Sequence, residues 1–103
     1  MKTAALALLA AGLLAQAPAF ANGAEDLFKT KACSACHSLD KKLVGPAFHE
    51  VAAKYAGQGD AVAHLSQSIR KGSQGVWGPM MMPPNAVSDD EARTLAEWIV
   101  SLK

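Results

Sequence analysis

The chain has 103 residues, with 10 basic side chains against 9 acidic ones and a formal charge of +1 when histidines are neutral. That balance excludes nucleic acid as the main partner, since phosphate binding needs a basic surplus, and it excludes polybasic attraction to membranes. Half the residues are apolar, and the excess sits at the start: 16 of the 21 residues in Met1–Ala21, against 36 of the other 82.

Met1–Ala21 has one early charge, Lys2, then a run of small and leucine residues from Ala4, and closes on Pro18-Ala19-Phe20-Ala21. This is the layout of a secretory signal peptide removed after Ala21. The run is short for a transmembrane span, and no stop-transfer pattern follows it. Residues 22–103 are therefore expected to form one exported domain with no stable membrane insertion. A domain of this size buries only about 60% of its unfolded surface, so a disulfide, metal or cofactor is expected to support it.

In chain order, the first element of the mature segment is a short helix over Ala24–Lys31, with Glu25 and Asp26 in its first turn and Leu27 and Phe28 as its apolar side. Cys33-Ser34-Ala35-Cys36-His37 follows, and these are the only cysteines. A disulfide across two residues closes too small a loop to restrict the unfolded chain much. The sequence is instead the C-x-x-C-H pattern of covalent haem c attachment. Two thiols three positions apart each add to one vinyl group, and the following imidazole meets the iron. A zinc site would need two more ligands from His49 and His64, and a thioredoxin-like dithiol would need strand–helix–strand patterning.

Leu43-Val44-Gly45-Pro46 reads as a turn and Ala47–Tyr55 as a second helix ended by Gly57 and Gly59. Ala61–Lys71 is a third helix, with Val62, Leu65 and Ile69 at helical spacing and Gly72 as its stop. Residues 72–87 form a long loop carrying Met80-Met81-Met82-Pro83-Pro84. A proline-stiffened, methionine-rich loop in a haem protein points to a thioether ligand opposite His37. Spacing leaves Met80, Met81 and Met82 open as that ligand, with His49 and His64 as rivals. Ser88-Asp89-Asp90-Glu91 is a capping box opening a last helix, with Ala92, Leu95, Ile99 and Leu102 as its stripe and Trp98 flanking. The fold class is all-α, with four short helices.

Several segments together resemble the small bacterial cytochrome c-551 group of class I cytochromes c: Cys33–His37, Val44-Gly45-Pro46, Gly72–Pro79, Met82-Pro83-Pro84-Asn85 and the helix start Ala86–Glu91. The resemblance implies the cytochrome c fold, with terminal helices crossing through Phe28, Leu95 and Trp98. It implies one haem c bound through Cys33 and Cys36, with His37 and Met82 as axial iron ligands. It further implies that Pro46 backs His37 through a backbone carbonyl, that Trp77 donates to a haem propionate and that Asn85 steadies the methionine loop. The chain departs from the group at Met80-Met81, where relatives often have a bulky apolar residue and a proline. It departs again at Ser68, where arginine or histidine is frequent.

The implied function is that of a monomeric, soluble one-electron carrier and not an enzyme. It would dock transiently at the haem edge, with Lys29, Lys31, Lys41, Lys42 and Lys54 as rim charges. The implied partners are a quinol-oxidising complex upstream and a nitrite reductase, terminal oxidase or peroxidase downstream. A haem-based peroxidase or gas sensor would instead need a displaceable Met82, and a copper protein using Met80–Met82 would leave Cys33–His37 unexplained.

Overall fold

The computed structural model describes residues 19–102, with side chains described from Gly23 onward. The expected leader therefore lies outside the described residues apart from Ala19–Ala21. Four helices form: α1 (Ala19–Thr30), α2 (Phe48–Tyr55), α3 (Ala61–Lys71) and α4 (Asp89–Ser101). A 3₁₀ turn spans Cys33–Ala35, and the one ladder contact among the described residues is an isolated antiparallel bridge between Ser73 and Met82.

Each boundary has a local cause. At α4, the Ser88 hydroxyl accepts from the Glu91 N–H at 3.1 Å while the Glu91 carboxylate accepts from the Ser88 N–H at 2.9 Å. The expected capping box is thus closed in both directions. Helix α3 runs over the residues its spacing predicts and stops at Gly72, whose φ of +86° few L side chains adopt. Helix α2 has no side-chain cap at Ala47. Its first free N–H groups, on Phe48 and His49, donate instead to the carbonyls of Ser38 and Leu39 at 2.9 and 3.0 Å. Those bonds pin the stretch just after His37 to the start of α2.

Helix α1 differs from expectation. It is already helical at Ala19, the first described residue and five residues before the expected start, so Glu25 and Asp26 lie in its interior and not its first turn. A leader removed after Ala21 would trim this helix to about the predicted length. After Thr30 the chain turns through Ala32, which takes a left-handed φ of +61° and delivers Cys33 into the 3₁₀ turn.

The core lies between α1, α2 and α3 and the helix they all meet, α4. Leu95 is 1% exposed, and Ala24, Ala92 and Ala96 are fully buried on the crossing pair α1 and α4, where a side chain no larger than methyl lets the backbones approach. Phe28, Phe48 and Trp98 form an aromatic cluster with ring centres 5.4 to 5.8 Å apart in tilted and edge-on arrangements. Trp98 is 5% exposed, central to the core and not flanking it; Leu102, predicted within the α4 stripe, caps the helix half-buried.

Candidate haem centre

A cleft with mainly apolar walls and a volume of about 230 Å³ is lined by the 3₁₀ turn, by α2, α3 and α4, and by the loop over residues 72–87. Natural cores are packed to the density of organic crystals, so an apolar-walled space this large in so small a domain is a site and not a packing defect. Its floor is apolar: Phe48 and Val51 from α2, Ile69 from α3, and Leu95 and Ile99 from α4. Cys33, Cys36 and His37 line it too, as do Trp77, Met80, Met81, Met82 and Asn85 from the loop over residues 72–87.

His37 is held on three sides. Its Nδ1 lies 2.8 Å from the Pro46 carbonyl, which accepts the Nδ1 proton and leaves Nε2 as the nitrogen with a free lone pair. Its ring lies 4.9 Å from that of Phe48 at 31°. The third contact is Gly45: a Cβ there would collide with Cε1 and come within 2.9 Å of both ring nitrogens. The turn is tied down by the Gly45 N–H donating to the Cys36 carbonyl at 2.7 Å. Sequence reading assigns Gly45 only to a turn and Phe48 only to a helix. That both brace His37 depends on a fold which brings the second turn of chain back over the first.

The thiols of Cys33 and Cys36 are free and half-buried. Burial, more than the nearby Cys36, pushes the Cys33 thiol above its ordinary pKa, against a smaller lowering from a backbone hydrogen bond. Disulfide oxidoreductases use the opposite, a lowered thiol. Among the described residues, no group of three or more His, Cys, Asp or Glu side chains is placed to hold a metal ion.

The methionine side is held by backbone. Met82 and Ser73 exchange both hydrogen bonds of their bridge, at 2.9 and 3.0 Å, and Met82 packs partly buried against the core. Gly72 makes this possible, since a Cβ there would lie 2.6 Å from the Met82 carbonyl oxygen. Asn85 clamps the loop's far end to α3: its backbone N–H and its side-chain amide both donate to the Ile69 carbonyl, at 3.1 and 3.0 Å. The same amide lies 3.3 Å from the Pro83 carbonyl. Met80 and Met81 are 67% and 57% exposed.

The other expected residues are placed as follows. Trp77 lines the cleft at 39% exposure, with the Lys54 ammonium 5.2 Å from its ring centre. Ser68 lines the cleft from α3. His49 and His64 do not line it; His64 is exposed and lies 3.1 Å from the hydroxyl of Tyr55, a contact the sequence does not signal. Among the rim lysines, Lys42 lines the cleft, whereas Lys31 lies 4.0 Å from Glu91 and joins α1 to α4.

Two thiols, an imidazole with one nitrogen already committed and thioethers lining the same apolar cleft suit a covalently anchored haem. The comparisons agree. The family model described as Cytochrome c matches residues 20–103. The chain is 73% identical to a cytochrome c-551 of Pseudomonas denitrificans over 79 residues, covering 77% of this chain and 96% of that one. It is 61% identical to the cytochrome c-551 of Pseudomonas aeruginosa over 98 residues, covering 95% and 94%. The crystal structure of wild-type cytochrome c552 from Nitrosomonas europaea superposes with a TM-score of 0.75 at 51% identity, covering 77% of this chain and 99% of that one. The chain belongs to the cytochrome c family as a class I member of the c-551 group, with one covalently bound haem c and a role in electron transfer, not catalysis.

Proposed function

We propose that this chain is a periplasmic one-electron carrier in which Cys33 and Cys36 form the haem thioethers and His37 and Met82 are the axial ligands. The observation that carries the ligand assignment is the bracing of His37 by Pro46, Gly45 and Phe48, in the same cleft as a Met82 whose backbone is fixed at both its N–H and its carbonyl. When bound, a His/Met haem c supplies a one-electron ferrous–ferric couple, and a thioether ligand favours the ferrous side.

The chain's own residues then do three things. The Pro46 carbonyl fixes the His37 tautomer and so the direction of Nε2. The Ser73 bridge and the Asn85 clamp hold Met82 at the cleft without requiring the weak thioether bond to order the loop by itself. The apolar floor keeps water from the buried face, which also favours the less charged iron. His37 and Met82 would together hold the iron and leave no open position for oxygen, peroxide or substrate.

The pattern of Met1–Ala21, that of a leader cleaved after Ala21, supports the periplasmic assignment. Trp77, on the cleft wall, has an indole N–H suited to a propionate. Docking uses a small apolar face at the cleft mouth, where Val44, Val76, Met80 and Met81 are exposed and Lys42 stands on the rim. A monomer passing electrons from a quinol-oxidising complex to a nitrite reductase or oxidase fits this face.

Met82→Ala tests the assignment. The variant is expected to lower the reduction potential sharply and to abolish the far-red methionine–ferric band, while Met80→Ala and Met81→Ala leave both in place. Loss of the band in Met80→Ala, with Met82→Ala unaffected, would overturn it.

A further inference from the structure

Three consecutive methionines stand in two different situations. Met82 is partly buried, and both its backbone groups are bonded to Ser73. That bridge closes a loop whose residues 74–81 are all exposed. Met80 and Met81 end the loop with their side chains 67% and 57% exposed, and neither takes part in a backbone bond outside helices. Both also line the mouth of the cleft, beside exposed Val76 and Trp77.

Thioether oxidation follows access, and it turns a flexible apolar side chain into a polar one. A peroxide donates one oxygen atom to the sulfur lone pair: the O–O bond breaks and an S–O bond forms. The sulfur is oxidised by two electrons and the peroxide is reduced to water or an alcohol. At Met80 or Met81 the new sulfoxide oxygen points into water and costs no backbone bond. At Met82 it would have to enter the apolar cleft.

We propose that Met80 and Met81 are a peroxide-modified methionine pair at the docking face, whose conversion to sulfoxides weakens apolar docking while Met82 stays reduced. The docking part rests on the function proposed above. The pair then acts as a site where oxidative conditions slow electron exchange without dismantling the electron-transfer centre, and methionine sulfoxide reduction reverses it.

The test uses the haem-loaded protein, limiting hydrogen peroxide and a second copy of the chain as the redox partner. Peptide mass mapping is expected to find one added oxygen on each of Met80 and Met81 before any on Met82, with the far-red band retained. Electron self-exchange, read by NMR line broadening in mixed ferrous–ferric samples, is expected to fall in the treated protein. In Met80→Leu/Met81→Leu the same treatment is expected to leave that variant's own rate where it started. Sulfoxide at Met82 as early as at the pair, or a self-exchange rate unmoved by oxidation of the pair, would overturn the proposal. A far-red band absent before any peroxide is added overturns the Met82 assignment instead, and the order of oxidation in the map still decides this one.

Discussion

Gly45→Ala isolates the bracing of His37. An added Cβ would sit against the imidazole, colliding with Cε1 and lying 2.9 Å from Nδ1 and Nε2. The ring cannot slide away cheaply, because Phe48 lies 4.9 Å from it and the Nδ1–Pro46 bond is 2.8 Å long. Nor can the turn retreat without stretching the 2.7 Å bond from the Gly45 N–H to Cys36. Overpacking costs about 1–3 kcal/mol, and losing one of those hydrogen bonds adds about 1 kcal/mol. The expected destabilisation is about 2–4 kcal/mol, out of a total of roughly 4–12 kcal/mol for a domain of this length.

Denaturant titration of the haem-loaded variant, followed by far-UV circular dichroism and by the Soret band, measures this cost. Gly59→Ala is the control: nothing lies within 4 Å of its Cβ position, and its φ is not in the left-handed region. It is expected to stay within about 0.5 kcal/mol of the parent. Equal stabilities for the two variants, with an unchanged visible spectrum in Gly45→Ala, would refute the bracing.

Three further predictions come from other parts of the molecule. Ala32 holds a left-handed φ of +61°, so Ala32→Gly is expected to stabilise the protein by about 1 kcal/mol, read as a higher denaturant midpoint; a lower midpoint counts against the strain. The Ser88 backbone N–H, aided by Lys31 and the Ser88 side chain and opposed by slight burial, holds the Glu91 carboxyl below its ordinary pKa. Its contribution is therefore full above the ordinary carboxylate range and is lost as pH falls through the lowered value, so Glu91→Gln is expected to flatten the acid limb of the stability profile. Parallel acid limbs would contradict this. Ser68→Arg places a cation on the cleft wall and is expected to change how the reduction potential varies with pH; superimposable potential–pH curves would remove that idea.

What the sequence made legible was whatever is encoded by local spacing. The capping box at Ser88–Glu91 and the span of α3 need only neighbours within one helical turn, and both stand where the pattern puts them. The cysteine–histidine motif is equally local. Helix α1 extends further toward the N-terminus than the expected Ala24, because helical propensity does not stop at a cleavage point and Ala19–Ala21 are helical too. Trp98 read as flanking because its place depends on Phe28 and Phe48 arriving from two other helices. Ala24 and Ala96 carry no amphipathic signature, yet the crossing of α1 and α4 needs them small. At the site, the resemblance supplied Pro46 and Asn85, and the structure adds the atoms: a carbonyl 2.8 Å from the imidazole and an amide 3.0 Å from the Ile69 carbonyl. Gly45, Phe48 and the Tyr55–His64 pair stayed hidden because each acts on a residue that only the tertiary fold brings near.

The central claim is that His37 and Met82 close both axial positions of the iron. The most direct test is the far-red absorption of the oxidised protein, expressed with its leader and haem-maturation machinery. The weak methionine–ferric charge-transfer band is expected at neutral pH, lost in Met82→Ala and kept in Met80→Ala and Met81→Ala. A folded, haem-loaded protein without that band would have an open or exchanged sixth position, and would contradict the account.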